Sequence, residues 1–364
     1  MGVYLAVALL IPFTRILFWN KRRIFIFAVC LELFVFIAIR AEDLGSDARM
    51  YMRFFNSVSK FSFDEIIQYN IVFIKEKGGM FEFGYSFSAW LFTLIDSGIA
   101  YRAFLIFLAF VNMWALKKFF NHYSESPCLA FFMFMCLIGP FSYFYIQRRM
   151  LAESIYLTAF PAMEEKRYVK AGTLMLIAFF CHRSSIIFTV FIYLLKIKVT
   201  KKIFRCVGIT YLFLLIFANF FLKSTITQIL ILFGKTYYID DFEFHVTNMH
   251  LILVASAVLI YFTVDFRKIQ ITRNNTTCWL FLIFVLNQPI DTYFGLLLGF
   301  LNHTFTIGTS IFLTNMLSSK KSNKHTKKIM YIVIFILLFL NYYRMLQWHP
   351  THLDSSIPYR TMFE

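Results

Sequence analysis

Ile24–Ile39, IFIFAVCLELFVFIAI, runs without a break into Arg40–Tyr51, RAEDLGSDARMY. The first stretch is apolar and about as long as a bilayer-crossing helix. The second crowds Arg40, Glu42, Asp43, Asp47, Arg49 and Tyr51 together. A plain connector has no need of both signs of charge, a glycine and an aromatic at this density, so the junction reads as a site at the mouth of a membrane domain.

The rest of the chain supports that setting. Hydrophobic residues make up 59%, aromatic residues 20% and charged residues only 15% of the sequence, and the mean hydropathy is +0.66. That leaves too little polar surface for a soluble chain of 364 residues. Apolar runs of roughly 17–25 residues recur throughout, which predicts a single all-α membrane domain over 1–364, a polytopic helical bundle. The first run, Met1–Trp19, lacks a positive region ahead of it and a cleavage site behind it, so it reads as a retained span and not a signal peptide. Cys30, Cys128, Cys136, Cys181, Cys206 and Cys278 show no CxxC spacing and no histidine at metal-ligand spacing, so neither disulfides nor zinc is expected. No Gly-rich phosphate loop is present, which excludes a P-loop ATPase.

The net charge of +16 is a topology signal, and nucleic acid is not an expected partner. Well over half of the 36 Lys and Arg residues fall in six short loops: 21–23, 117–118, 166–170, 196–205, 267–273 and 320–328. Placing these in the cytoplasm gives about twelve spans, near 2–19, 24–40, 99–116, 127–145, 150–163, 169–181, 184–196, 203–222, 249–265, 276–289, 293–316 and 329–346, with both termini outside. The outer face then receives 41–98, Tyr143–Arg149, the His182 region, 223–248, Asn287–Asp291 and the tail 347–364. Within 41–98, Phe54, Phe55, Val58, Phe61, Ile66, Ile67 and Tyr69 recur at near-helical spacing, as in helices lying on a leaflet. The apolar stretch 86–97 is too short to cross and reads as re-entrant or interfacial.

Two further concentrations of chemistry fall on that face. In Tyr143–Glu153, YFYIQRRMLAE, Arg148 and Arg149 stand against the positive-inside bias. A guanidinium fork holds phosphate bidentately and keeps its charge, which suits a lipid-linked diphosphate. Snorkelling to headgroups or pairing with Glu153 is the structural alternative, and the same alternatives apply to Arg40. In Cys181–Ser185, CHRSS, His182 can serve as a base on a sugar hydroxyl, although a lone histidine more often caps or packs. Ser184 most simply caps the next helix. Glu82, in FEFGY, and Asp47 are alternative carboxylates for the proton. His303 and Asn302, inside a span, should face the bundle interior.

Taken in order, Arg40, Gly45, Asp47 and Tyr51 (R-x4-G-x-D-x3-Y), Glu82, Gly84 and Tyr85 (E-x-G-Y), Arg148 and Ala152 (R-x3-A), His182, Ser184 and Ser185 (H-x-S-S), and Pro358, Tyr359 and Phe363 (PY-x3-F) resemble the EpsG family. Its members are Wzy-like polysaccharide polymerases. The resemblance implies a glycosyltransferase of the bacterial inner, or plasma, membrane. It would join undecaprenyl diphosphate-linked repeat units on the periplasmic side, in O-antigen, capsule or exopolysaccharide assembly, with no nucleotide sugar. The partners it implies are lipid-linked glycans and the bilayer, with a chain-length regulator and a flippase. No cofactor or metal is expected. Arg148, Arg149 and Arg40 would bind the diphosphate and stabilise its growing negative charge. His182, or Asp47 or Glu82, would accept the acceptor proton. Tyr51, Tyr85 and Tyr359 would stack on sugars, or else belong to an interfacial aromatic belt.

Other readings stay open on the residues alone. A flippase or transporter of the same lipid-linked glycans accounts equally for the spans, but predicts midplane polar groups in two related halves. An O-antigen ligase uses the same donor chemistry. An integral membrane acyltransferase would also use a histidine, but leaves the outer arginines unexplained.

Overall fold

The computed structural model describes residues 2–45, 47–76, 81–95, 98–137, 146–217, 272–318 and 359–361, with isolated positions beyond them. Among these the chain is all-α, apart from one isolated antiparallel bridge between Arg40 and Thr361. The backbone gathers into two compact units, the first comprising Met1–His122, Ile138–Leu194 and Tyr342–Glu364, the second Tyr123–Leu137 and Leu195–Asn341.

The first unit opens with α1 (Gly2–Leu17) and α2 (Arg22–Ala38), joined by a tight turn closed by Lys21 N–H to Phe18 O at 3.0 Å. Tyr4, Phe25, Ile26 and Val29 are buried, while Leu9, Phe13, Ile16, Phe27 and Leu31 stay exposed, an apolar outer surface of the kind lipid covers. Thr14 hydrogen-bonds Glu32 between the two helices. Three short helices follow: α3 (Ala48–Val58), α4 (Phe63–Glu76) and α5 (Phe83–Thr93). In α3 the residues Ala48, Tyr51, Phe55 and Val58 turn inward at intervals of three and four, an amphipathic pattern in which Phe55 and Val58 are among the residues expected within 41–98. A reciprocal capping box starts α4, Ser62 N–H donating to Glu65 Oε2 at 2.7 Å and Glu65 N–H to Ser62 Oγ at 3.3 Å.

Next comes α6 (Ala100–Tyr123), among the described residues the one helix long and apolar enough to cross a membrane. Its last carbonyls accept from Arg22, Asn121 O at 2.9 Å and Phe120 O at 3.3 Å, a cation at the negative end of the helix dipole. The paired helices α8 (Gln147–Glu164) and α9 (Tyr168–Cys181) are linked by Glu165–Arg167. Here Arg167 N–H reaches Ala162 O at 2.8 Å and Lys166 N–H reaches Met163 O at 3.0 Å, with Lys166 at φ 60°. That is a Schellman stop built on a lysine.

After His182 the chain forms a 3-10 helix, Arg183–Val190, and then one turn of α10 (Phe191–Leu194). At rises of about 2.0 and 1.5 Å per residue these cover roughly 22 Å, short of a hydrocarbon core about 30 Å thick. The span expected at 184–196 is therefore incomplete. Other shorter apolar helices are Gly2–Leu17, Pro127–Leu137 and Tyr168–Cys181, so the structure does not carry a count of twelve crossings. The segments 223–227, 229–256, 262–265, 319–335 and 344–358, with the expected spans and loops that fall on them, lie outside the described residues.

The second unit contains α7 (Pro127–Leu137), α11 (Lys201–Phe217) and α12 (Thr272–Ser318). Helical throughout its 47 residues, α12 would measure about 70 Å if straight. It is not straight. A β-carbon on Gly308 would lie 2.4 Å from that of Leu280, the Phe281 and Phe312 rings are 5.3 Å apart, and Asn315 donates to Asn274 at 3.3 Å. The element folds back between Phe281 and Gly308 into two antiparallel arms, matching the expected pair 276–289 and 293–316. The expected turn residues Asn287–Asp291 are themselves helical. His303 is buried, its ring edge-on to Phe134 at 5.4 Å.

Candidate active site

The site of the first unit begins where helices stop. Glu82 is the residue before α5, in extended conformation, and His182 the residue after α9, also extended. Gly84 sets these two ends against each other. A β-carbon there would sit 2.8 Å from Cys181 Sγ and 3.0 Å from Cys181 N, so only glycine permits the approach.

Across that contact, Glu82 Oε1 lies 3.1 Å from His182 Nδ1 and accepts from Arg183 N–H at 3.2 Å. The carboxylate thus caps the 3-10 helix from another segment. Ser184 does not perform the capping expected of it, since Glu82 already takes the first free N–H. Glu82 Oε2 accepts from Arg148 Nη1 at 3.0 Å. Arg148 enters from the first turn of α8, lies over the Phe81 ring at 5.3 Å and hydrogen-bonds Tyr51. Its neighbour Gln147 accepts from Tyr85 Oη at 2.8 Å and donates to Tyr101 Oη at 3.2 Å, which fixes the start of α8.

These contacts decide the charges. Burial pushes the Glu82 carboxyl up, but the His182 hydrogen bond, the Arg148 charge and the Arg183 N–H outweigh it and hold the group at about 2. Burial lowers His182 below its ordinary 6.5 and prevails over the pull of Glu82, with the charges of Arg148 and Arg149 adding to the lowering. The imidazole is therefore neutral beside an ionised carboxylate. An ionised carboxylate only accepts hydrogen bonds, so Nδ1 carries the proton and Nε2 the lone pair.

Arg40 sits in the same unit, at the end of α2. It is 2% exposed and donates to Leu44 O at 3.2 Å. Its carbonyl accepts from Arg102 at 2.6 Å, and Ala41 N–H donates to Arg360 O at 2.9 Å. Gly45, at φ 115°, turns the chain into α3 in a conformation that favours glycine. Arg360 pairs with Asp43 at 2.9 Å, and Tyr359 stacks on Phe36 at 4.5 Å. Arg40 is within electrostatic reach of Tyr101, Tyr359 and Tyr85, and the Tyr85 hydroxyl also feels Arg148.

The candidate residues from all five motifs thus meet in one unit, though not all as expected. Tyr51 and Tyr85 are each 1% exposed, their rings against each other at 5.5 Å and against Phe81 at 5.3 and 5.6 Å. They present no open face to a sugar, and burial pushes the Tyr51 hydroxyl up to about 12. Tyr359 joins the tail to α2. Asp47 precedes α3, where its carbonyl accepts Tyr51 N–H at 3.0 Å, and its charge bears on Tyr51. Arg149 is buried, with its charge felt at His182 and Tyr51. Sequence reading passed over Phe81, Tyr101 and Arg102. The Tyr101–Arg102 pair at the head of an apolar run, like the arginines it resembles, was the available signal.

No curated protein and no solved structure matches the chain. A family model does, over residues 23–361, from the first turn of α2 to the threonine bridged to Arg40, and so takes in all the candidate site residues. The chain belongs to the EpsG family, whose members are Wzy-like polymerases, and is on that ground a membrane protein of polysaccharide biosynthesis with a polymerase-type role.

Proposed function

We propose that the protein joins undecaprenyl diphosphate-linked oligosaccharide repeat units by glycosyl transfer at the outer face of the bacterial inner, or plasma, membrane. The observation that carries this reading is the placement of one neutral histidine and one guanidinium on the two oxygens of a single buried carboxylate. A base and an anion-binding group are what transfer from a lipid diphosphate requires.

Arg148, with Arg149 and Arg40 behind it, faces the donor diphosphate and stabilises the charge that grows on it. The acceptor hydroxyl oxygen attacks the anomeric carbon from the opposite side, its proton passes to His182 Nε2, and the anomeric C–O bond breaks with its electron pair leaving on the lipid diphosphate. One displacement inverts the anomeric centre. Glu82 orients the imidazole and is itself a poor base, because both of its oxygens are engaged and it is held at about 2. Asp47 precedes α3, and its charge bears on Tyr51. Tyr51 and Tyr85 act as packing, and Tyr359 as a tie between tail and α2.

The test is chain growth. Purified protein in detergent, given lipid-linked repeat units and no nucleotide or ion gradient, should lengthen them. Folded protein that fails to do so, yet moves the units across proteoliposome membranes, would establish transport in its place. Sidedness is checked by labelling cells from outside: Ser57→Cys should react and Lys170→Cys should not. The reverse pattern would remove the outer-face site.

A further inference from the structure

The cluster is asymmetric in what it exposes. The Arg148 side chain is 28% exposed, against 8% for Glu82 and 16% for His182. A ligand can therefore reach the guanidinium, whereas the carboxylate stays behind it. Arg148 holds Glu82 through Nη1 at a single oxygen, while its planar fork matches a phosphate bidentately. The other carboxylate oxygen is fixed independently by Arg183 N–H at 3.2 Å, so it keeps its place against His182 Nδ1 if Arg148 turns away.

From this geometry, and resting on the diphosphate-linked donor proposed above, we infer that Glu82 is a positioning residue held in common by the two halves of the site. A bound diphosphate draws Arg148 off the Glu82 carboxylate and leaves that carboxylate to His182 and the Arg183 N–H, so donor binding activates the base. The charges facing His182 are Glu82 on the α5 side, Arg148 and Arg149 on α8, and its chain neighbour Arg183, with the Cys181 thiol adjoining and Tyr51 acting through Arg148. Without a bound diphosphate two cations oppose protonation and one carboxylate, shared with Arg148, favours it. With the diphosphate in place the nearer cation is neutralised and the carboxylate is no longer shared with it. The base is weak until a donor is present, and this imposes an order in which the donor binds first and the acceptor is deprotonated second.

The experiment titrates His182 by NMR in the full-length protein carrying 13C-labelled histidine, with the resonance assigned by His182→Gln. Farnesyl diphosphate serves as the probe, and its binding is measured separately by calorimetry. In the wild type the probe should raise the His182 midpoint by about one pH unit or more. In Glu82→Gln the rise should fall to less than half, leaving the direct field of the diphosphate. In Arg148→Gln the midpoint should already be raised without the probe. Arg148→Gln keeps the inference testable should Glu82→Gln not fold. Measured binding with no rise, or with equal rises in wild type and Glu82→Gln, would overturn the coupling while leaving chain growth, assayed in parallel, to support the polymerase. Loss of both probe binding and chain growth in folded protein would overturn the coupling and the donor assignment beneath it.

Discussion

Buried polarity differs in kind between two regions of the protein. Along α12, Thr306, Ser310, Thr314 and Asn315 are buried, but Ser310 donates to Thr306 O and Thr314 to Ser310 O, both at 2.8 Å and both on their own helix. Asn275 and Asn315 bind backbone of the segments leading into α11 and α7: Val199 N–H and Ile197 O for the first, Glu125 N–H and Tyr123 O for the second. Every one of these groups is neutral and its purpose is met within the unit. Around the ionised Glu82, a guanidinium and a neutral imidazole from segments 66 and 100 residues away converge, and the cation is left partly open to solvent. Neutral, locally bonded polarity secures a helix. Ionised, partly exposed polarity, which costs several kcal/mol to bury, marks a place where something is done.

That contrast breaks most readily at His182. His182→Ala should slow chain growth by about 10²- to 10⁴-fold while donor binding persists, since a base contributes mainly in the transition state. Retention of full activity would place the proton acceptor elsewhere, with Asp47 first in line. Arg148→Ala should cost about 10²- to 10³-fold, and Arg148→Lys, which keeps the charge and loses the fork, an intermediate amount. Glycan length against protein abundance reads both, and full-length glycan from a well-expressed Arg148→Ala protein would make this arginine an interfacial anchor.

The acid response sharpens the comparison. Both His182 and Glu82 titrate below their ordinary values when folded, so the unfolded chain takes up each proton first and acid favours unfolding. Thermal stability should be level above about pH 6.5 and decline below it as His182 protonates. The Glu82 contribution should go between its ordinary 4.5 and about 2. His182→Gln should flatten the upper part of that decline. An unchanged slope would show that the histidine titrates at the same pH in the folded and the unfolded chain. The smallest effects belong to α12. Asn315→Ala should cost about 1–3 kcal/mol of stability and Ser310→Ala under about 0.5 kcal/mol, each without altering the pH dependence of chain growth. A changed pH profile in either would mean that the second region takes part in the chemistry.

Much of the fold was legible because apolar runs and helix stops are local. The arms of α12 and the extents of α1, α2 and α9 follow from such runs, and the Ser62–Glu65 box was there to be read. The 3-10 stretch Arg183–Val190 was not, since RSSIIFTV has the composition of a short membrane helix and its tighter winding leaves no mark on hydropathy. At the site, Glu82, Arg148 and His182 each stood out singly by charge or ring chemistry. Their pairing lay beyond reach, because contacts across such separations are set by tertiary packing at Gly84 and Cys181. The tyrosines misled for a related reason: an aromatic at an interface and one in a core look alike until its neighbours are known.

The tail that closes over Arg40 has a consequence for biosynthesis. Tyr359 Oη reaches Phe36 O across 323 residues of sequence, and Thr361 bridges Arg40 itself. A ribosome delivers Arg40 long before Thr361, so this corner of the first unit stays open until the later partner of the bridge has been made. Chains released early would carry the α2 end, with its arginine and acidic neighbours, unclosed.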